Sequence, residues 1–181
     1  MACLYPLAKR YTHYAQTVLG TCFNSGIFIG AAQIMGDAFT LTTCAQLAPF
    51  YIGSILWTMI YDSVYAYNDR NDDIKQNLKG LGVLWGDKII ENCKKLNIVQ
   101  TALFMTSGYL CGINHIEIFL ASGVMIALML KTVNLNDPQS CQNFFIRSRY
   151  FGLMIGGIIL GNLWLMSLTQ TNEKITEKVN L

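Results

Sequence analysis

The chain contains little charge for its length. Of its 181 residues, 13% are Asp, Glu, Lys or Arg, whereas an ordinary soluble domain has about 25%. This shortage of solvating side chains argues against a free-standing soluble protein. The apolar share of 52% also excludes intrinsic disorder, because disordered chains have too few apolar side chains to bury.

Other absences exclude further classes of protein. The net charge is only +2 and no basic run is interleaved with aromatic residues, so we expect no nucleic-acid partner. The six cysteines form no C-x-x-C pair, which fits neither a zinc site nor a disulfide framework. No apolar core precedes the basic pair Lys9–Arg10, as a targeting peptide would require. We therefore expect an internal import signal, or a chain that begins within a longer protein.

Long segments without charge are the main positive feature. Between Arg10 and Asp62 the only charged residue is Asp37, and between Arg149 and Glu173 there is none. A membrane-spanning helix needs about 20 apolar residues, and five segments approach or reach that length: 14–36, 41–61, 97–114, 116–134 and 150–168. The sequence predicts an all-α, multi-span transmembrane helical bundle with about five spans in the lipid bilayer.

The distribution of basic residues supports this topology independently of hydropathy. If the spans alternate in direction, one face of the membrane carries eleven of the thirteen basic residues: Lys9, Arg10, Arg70, Lys75, Lys79, Lys88, Lys94, Lys95, Lys131, Arg147 and Arg149. Such a bias is typical of the cytoplasmic or matrix side of a membrane protein.

The segment after the second predicted span is rich in aspartate. Asp62, Asp69 and Asp73 are spaced seven and four residues apart, so on a helix they share one face, with Asp72 at its edge. Carboxylates at this spacing repel one another, and a cation must offset them. Two interpretations stay open: a solvated loop paired with its own Arg70, Lys75 and Lys79, or a Mg²⁺ site at which Lys75 and Lys79 meet the phosphates of a lipid-tailed diphosphate.

Three stretches of the chain carry a family resemblance. The string YDSVYAYNDRNDDIKQNLK at 61–79 closely resembles the second aspartate-rich motif of the UbiA-type membrane prenyltransferases. YPLAKR at 5–10 followed by QTVLGTCFN at 16–24, and LNDPQSCQNFF at 135–145, are similar to the branch that transfers polyprenyl groups to 4-hydroxybenzoate in ubiquinone biosynthesis.

The resemblance implies a site and a reaction. Two aspartate-rich motifs of such enzymes hold Mg²⁺ and a polyprenyl diphosphate, and the prenyl group passes to the ring of 4-hydroxybenzoate. By position, Asp62, Asp69 and Asp73 match the catalytic and magnesium-binding residues, and Asp72 supports them as a further metal ligand. Tyr5 and Lys9 match diphosphate-binding positions, and Lys79 is an additional diphosphate contact.

The resemblance also implies a location and a boundary. We expect a multi-pass protein of the mitochondrial inner membrane, with the aspartate-rich loop on the matrix side and other ubiquinone-biosynthesis proteins as partners. The family has nine spans and a first motif of the form N-D-x-x-D-x-x-x-D, and no such string occurs here. We therefore expect residues 1–181 to form one partial prenyltransferase domain, without the four N-terminal spans and the first motif, and with little activity alone.

Several alternatives remain at this stage. The acceptor could be homogentisate, a naphthoate or haem. A non-catalytic membrane protein that binds polyprenyl diphosphate or a partner subunit, and a transporter with carboxylates along an ion path, belong to other classes. The residues of the aromatic-acid pocket are not evident, although Tyr65 and Tyr67 lie beside the carboxylates in sequence; membrane-interface anchoring is the simpler interpretation of both.

Overall fold

The protein is helical throughout the part that the structure describes. The computed structural model describes residues 5–113 and 116–179, with side chains described at 7–113, 116–157 and 160–161. The helices are α1 Tyr5–Tyr11, α2 Ala15–Asn24, α3 Gly26–Met35, α4 Leu41–Ala66, α5 Arg70–Lys75, α6 Leu81–Trp85, α7 Ile89–Leu110, α8 Glu117–Lys131 and α9 Pro138–Val179. The predicted all-α class is confirmed.

Two helical segments are long and apolar enough to cross a membrane. They are Ala15–Ala38, which combines α2 and α3, and Leu41–Lys75, which contains α4. The helices α7 and α8 coincide with the next two predicted spans, but α8 has only 15 residues. The first turns of α7 contain Glu91, Lys94 and Lys95, because this helix begins well before the predicted start at 97. Length and hydropathy thus support two of the five predicted crossings in the described residues.

Helix α4 lies at the centre of the packing and contacts α2, α7 and α9. Its inward side chains Ile60 and Val64 join Phe104, Phe119 and Phe151 in a core that is at most 2% exposed. The small residue Gly53 allows α7 to approach, since a Cβ at that position would lie 2.7 Å from the Phe104 ring. Small residues at helix contacts are the usual means of close packing in membrane bundles.

Polar side chains also join α7 to α8. The buried amide of Asn97 donates a hydrogen bond of 2.8 Å from Nδ2 to the carbonyl of Gly123. Thr101 packs directly against the same glycine, so no side chain fits there. These contacts fix the register of the two helices, because a shift along the axis would leave the Asn97 amide buried without a partner.

Candidate functional site

The aspartate-rich segment changes helix type part of the way along. Asp62 lies in the last turns of α4, a 3₁₀ turn covers Tyr67–Asp69, and α5 contains Asp72 and Asp73. The spacing argument used a continuous α-helix, and a 3₁₀ turn has 3.0 residues per turn in place of 3.6. The phase therefore shifts between Asp62 and Asp73. Asp73 is buried, while Asp69 and Asp72 are exposed.

Asp73 is paired with a lysine from the N-terminal helix α1. Lys9 Nζ lies 3.4 Å from Asp73 Oδ2, and the two side chains are only 19% and 10% exposed. Backbone contacts dock α1 in this position, since the Lys79 N–H donates to the Lys9 carbonyl over 2.7 Å. The Lys79 ammonium donates to the carbonyl of Tyr11 over 3.2 Å. Of the predicted site residues, Lys9 and Asp73 therefore meet through their side chains, and Lys79 contacts Lys9 through its backbone.

The other predicted residues have different surroundings. Asp72 pairs with Lys75 over 3.0 Å, and both side chains are more than 70% exposed, so this pair contributes little stability. Asp62 is partly buried and has an interaction partner. Tyr5 begins α1, and its side chain lies outside the described residues.

The carboxylates fit a hard cation chemically, but the described side chains are not gathered around one point. Carboxylate oxygens are the ligands that Mg²⁺ prefers. Within the described residues, no group of three or more His, Cys, Asp or Glu side chains stands close enough to hold a metal ion. The Lys9 ammonium supplies a positive charge at Asp73, where a bound cation would otherwise supply it. The residue types therefore suit a divalent cation, whereas the arrangement of the described side chains pairs Asp73 with Lys9 and Asp72 with Lys75.

Arg70 is engaged outside the aspartate motif, whereas one of the two open interpretations pairs it with the aspartates of the motif. Its Nη1 lies 3.0 Å from Asp87 Oδ1, and the Tyr67 hydroxyl donates to the same oxygen over 2.9 Å. Gly86 has a φ of +50°, and a Cβ there would lie 2.9 Å from Arg70 Nη2. Sequence reasoning missed Gly86 and Asp87, because nothing in their local pattern indicates that they approach Arg70. Tyr67, a candidate for the aromatic-acid pocket, therefore contacts Asp87 together with Arg70.

The third stretch of family resemblance also reaches the aspartate segment. Asn68 Nδ2 donates to the carbonyl of Pro138, the first residue of α9, over 3.3 Å. The next turn of α9 places Cys141 in the interior. Burial raises the pKa of the Cys141 thiol, and the negative charge of Asp137 raises it further. The fold thus brings the stretches around Lys9, Asn68 and Pro138 together.

An aromatic cavity lies between α4 and α9, next to the aspartate segment. It has a volume of about 270 Å³ and is lined by Trp57, Tyr61, Phe145, Ile146, Ser148 and Arg149. The Phe145 ring lies 5.5 Å from the Tyr61 ring and 5.0 Å from the Tyr65 ring, measured between centroids. Tyr65, the other candidate for the acid pocket, therefore stands at the edge of this cavity.

Fold and site together define a class of protein: a helical chain with membrane-length apolar segments and an acidic, lysine-paired site at the end of one of them. The chain belongs to the UbiA prenyltransferase family, whose family model matches residues 1–167. The resemblance predicted from the three stretches is confirmed. No solved structure matches the chain.

Individual relatives agree with this assignment. The chain is 34% identical to the mitochondrial 4-hydroxybenzoate polyprenyltransferase of Dictyostelium discoideum over 94% of its own length and 36% of the relative's. It is 32% identical to the Homo sapiens protein of the same name, over 94% of the chain and 46% of the relative. A 4-hydroxybenzoate geranyltransferase 2 of Lithospermum erythrorhizon is 29% identical over 88% of the chain and 52% of that protein. The chain spans about half or less of the length of the curated relatives it matches.

Proposed function

We propose that the chain belongs to an enzyme that transfers a polyprenyl group from polyprenyl diphosphate to the ring of 4-hydroxybenzoate in ubiquinone biosynthesis. The observation that carries the proposal is the meeting of Lys9 and Asp73, which are 64 residues apart in sequence, at 3.4 Å. Both belong to stretches with family resemblance, and relatives at 32–34% identity are named 4-hydroxybenzoate polyprenyltransferases. A cationic and an acidic group side by side suit a site for a diphosphate and its counter-ion.

The roles of the residues follow from their charge. Asp62, Asp69, Asp72 and Asp73 would hold Mg²⁺, which when bound neutralises charge on a leaving diphosphate. Lys9, Lys79 and Tyr5 would bind the diphosphate itself, and the ammonium groups stabilise the negative charge that grows as the allylic C–O bond breaks. Trp57 and Tyr61, which line the aromatic cavity, would keep water from the resulting carbocation. A carbon of the acceptor ring then bonds to the carbocation, and the ring loses the proton from that carbon.

We also propose the cellular setting and the extent of the domain. The five apolar segments cross the mitochondrial inner membrane, and the aspartate-rich segment lies on the matrix side with most of the basic residues. Residues 1–181 would supply the second half of a nine-span domain, in keeping with the 36–46% of the relatives' length that they match. Other ubiquinone-biosynthesis proteins are the proposed partners.

A chimeric enzyme tests the proposal. The chain replaces the segment that it matches in the Dictyostelium discoideum relative, and transfer of a radiolabelled polyprenyl group to 4-hydroxybenzoate is measured in membranes. We expect Asp73→Asn to lower the rate at least about 100-fold, as losses of single charge-stabilising groups do. Asp37→Asn is the matched control, because this exposed carboxylate lies before α4, away from the site. Undiminished transfer by Asp73→Asn would remove the proposed role.

The acceptor is tested in the same assay. Transfer to homogentisate, a naphthoate or haem, but not to 4-hydroxybenzoate, would refute the proposed substrate and leave a prenyltransferase of another branch.

A second candidate function is a membrane protein that binds polyprenyl diphosphate without transferring it. The separate pairing of Asp73 with Lys9 and of Asp72 with Lys75 favours this alternative, because neither carboxylate is shared with the other around one metal position. Saturable binding of polyprenyl diphosphate by the chimera, with no transfer to any acceptor, would distinguish this function from the enzymatic one.

A further inference from the structure

We propose that the cavity between the end of α8 and the start of α9 binds the headgroup of a zwitterionic phospholipid with a primary ammonium group, of the phosphatidylethanolamine class. The inference goes beyond the proposed reaction and rests only on the proposed membrane setting. The cavity has a volume of about 240 Å³. It shares no lining residue with the aspartate motif or with the aromatic cavity between α4 and α9.

Two charges of opposite sign line this cavity. Arg147 and Asp137 both belong to its wall, and neither side chain forms an ion pair with another described residue. Asp137 directly precedes α9, and Arg147 follows ten residues later, which is about 15 Å along a helix axis. Because helical side chains lean toward the N-terminus, the long Arg147 side chain shortens this gap without closing it. A ligand with an anionic and a cationic group a short distance apart therefore meets both charges.

The polar side chains between these charges keep hydrogen-bonding capacity. The Ser140 hydroxyl accepts from a backbone N–H of the preceding loop over 2.9 Å, so its own hydrogen remains for another acceptor. Gln139 Nε2 donates to Asn143 Oδ1 over 3.1 Å, which leaves the NH₂ group of Asn143 as a donor one turn before Arg147. Asp137 Oδ1 accepts from the Gln139 N–H over 3.0 Å, and its Oδ2 remains as an acceptor. The cavity thus offers donors to a phosphate and an acceptor to an ammonium.

The charges also indicate which headgroup fits. A primary ammonium donates hydrogen bonds to a carboxylate such as Asp137, whereas quaternary ammonium groups are recognised by cages of aromatic rings. Among the described lining residues the single ring is that of Phe144, which is only 4% exposed. Pockets for anionic lipids are clusters of Lys and Arg, whereas here Asp137 balances Arg147 and repels a second negative charge.

The surroundings suit a lipid better than a soluble ligand. Apolar Met129 from α8 lines the cavity together with the polar groups. Leu128 directly precedes it and is 56% exposed, and Tyr150, one turn beyond Arg147 in α9, is 59% exposed. The cavity therefore lies between the fourth and fifth predicted spans, with exposed apolar side chains on both helices that acyl chains would contact. Most of the basic residues are predicted on the same face of the membrane.

Native mass spectrometry of the detergent-purified chain tests the inference. Phosphatidylethanolamine, phosphatidylcholine and phosphatidylglycerol with identical acyl chains are titrated separately, and the fraction of the chain that retains one lipid gives each affinity. We expect phosphatidylethanolamine to bind at least about tenfold more tightly than the other two, because neither of them donates a hydrogen bond from an ammonium group to Asp137.

Three variants assign the two charges. Arg147→Met should weaken binding of phosphatidylethanolamine about 10- to 100-fold, the factor that corresponds to loss of a charged hydrogen-bonded pair. Asp137→Asn keeps a side-chain oxygen to cap the start of α9 and should remove most of the preference over phosphatidylglycerol. Arg149→Met is the matched control with no expected effect, because it removes the same charge from the same helix at a side chain that lines the aromatic cavity.

Equal binding of the three lipids by wild type, or unchanged binding after Arg147→Met, overturns the inference. Tighter binding of phosphatidylglycerol than of phosphatidylethanolamine would identify an anionic-lipid site and overturn the role of Asp137. Glycerophosphoethanolamine, the same headgroup without acyl chains, should not compete at equal concentration; if it displaces the lipid, the cavity binds a soluble zwitterion instead.

These outcomes are separate from those of the proposed function. None of the lipid measurements depends on prenyl transfer, so a chimera that transfers no prenyl group leaves the lipid site standing. Conversely, a chain without lipid preference leaves the proposed transfer reaction standing.

Discussion

We expect the ion pair between Lys9 and Asp73 to contribute more to the free energy of unfolding than an ordinary surface ion pair does. At 3.4 Å, the Coulomb attraction is about 5 kcal/mol for an effective dielectric constant of about 20. Desolvation of both ions offsets much of this gain. Removing only the lysine leaves the Asp73 carboxylate largely buried without its counter-charge. We expect Lys9→Met to lower the free energy of unfolding by about 2 kcal/mol, which lies between the values for exposed ion pairs and for fully buried ones.

The control is the neighbouring pair of Lys75 with Asp72, which has a shorter distance of 3.0 Å but more than 70% exposure of both side chains. Lys75→Met should cost less than about 0.5 kcal/mol, because water already solvates both charges. Burial, and not distance, therefore determines which of the two ion pairs contributes more to the free energy of unfolding. The measurement is unfolding of the detergent-solubilised chain, followed by circular dichroism.

A double-mutant cycle isolates the pair itself. Asp73→Asn in the Lys9→Met background should recover most of the loss, because the uncompensated carboxylate is then gone. Millimolar Mg²⁺ should stabilise Lys9→Met more than wild type, since the cation can take the place of the lysine at Asp73. Equal effects of Lys9→Met and Lys75→Met, or strictly additive effects of the two changes in the cycle, would refute the reasoning.

Two further predictions concern the same region and the topology. Gly86→Ala should lower the free energy of unfolding by about 1–2 kcal/mol, because an L side chain is strained at its φ of +50° and meets Arg70. Gly80→Ala is the control in the same unfolding measurement. It should have a smaller effect, because the nearest atom to a Cβ at Gly80 is 3.8 Å away. At pH 7.4 a maleimide should label exposed Cys111 and spare Cys141, whose buried thiol has a raised pKa and stays protonated; labelling of both, found by peptide mapping, would contradict the packing of α9.

Some of the site depends on pairs of residues that no local pattern connects. One of the two interpretations of the sequence has Arg70 offset the aspartates beside it, and the structure places its guanidinium on Asp87 across a turn at which Gly86 has a φ of +50°. The 3₁₀ turn at Tyr67–Asp69 similarly changes which carboxylates share a face. The hydrophobic pattern does not distinguish a 3₁₀ turn from a continued α-helix over three residues, so the burial of Asp73 could not be predicted from spacing.

Local composition by itself determined the helical class, the long apolar segments, the one-sided distribution of basic residues and the family, because each depends on residues close together in the chain. Only the tertiary structure decided that Lys9 meets Asp73, that α9 docks on the aspartate turn through Asn68, and that Arg149 shares a cavity with Tyr61. These approaches depend on how helices distant in sequence pack, and that packing is decided by small residues such as Gly53 and by the rings that fill the space above them.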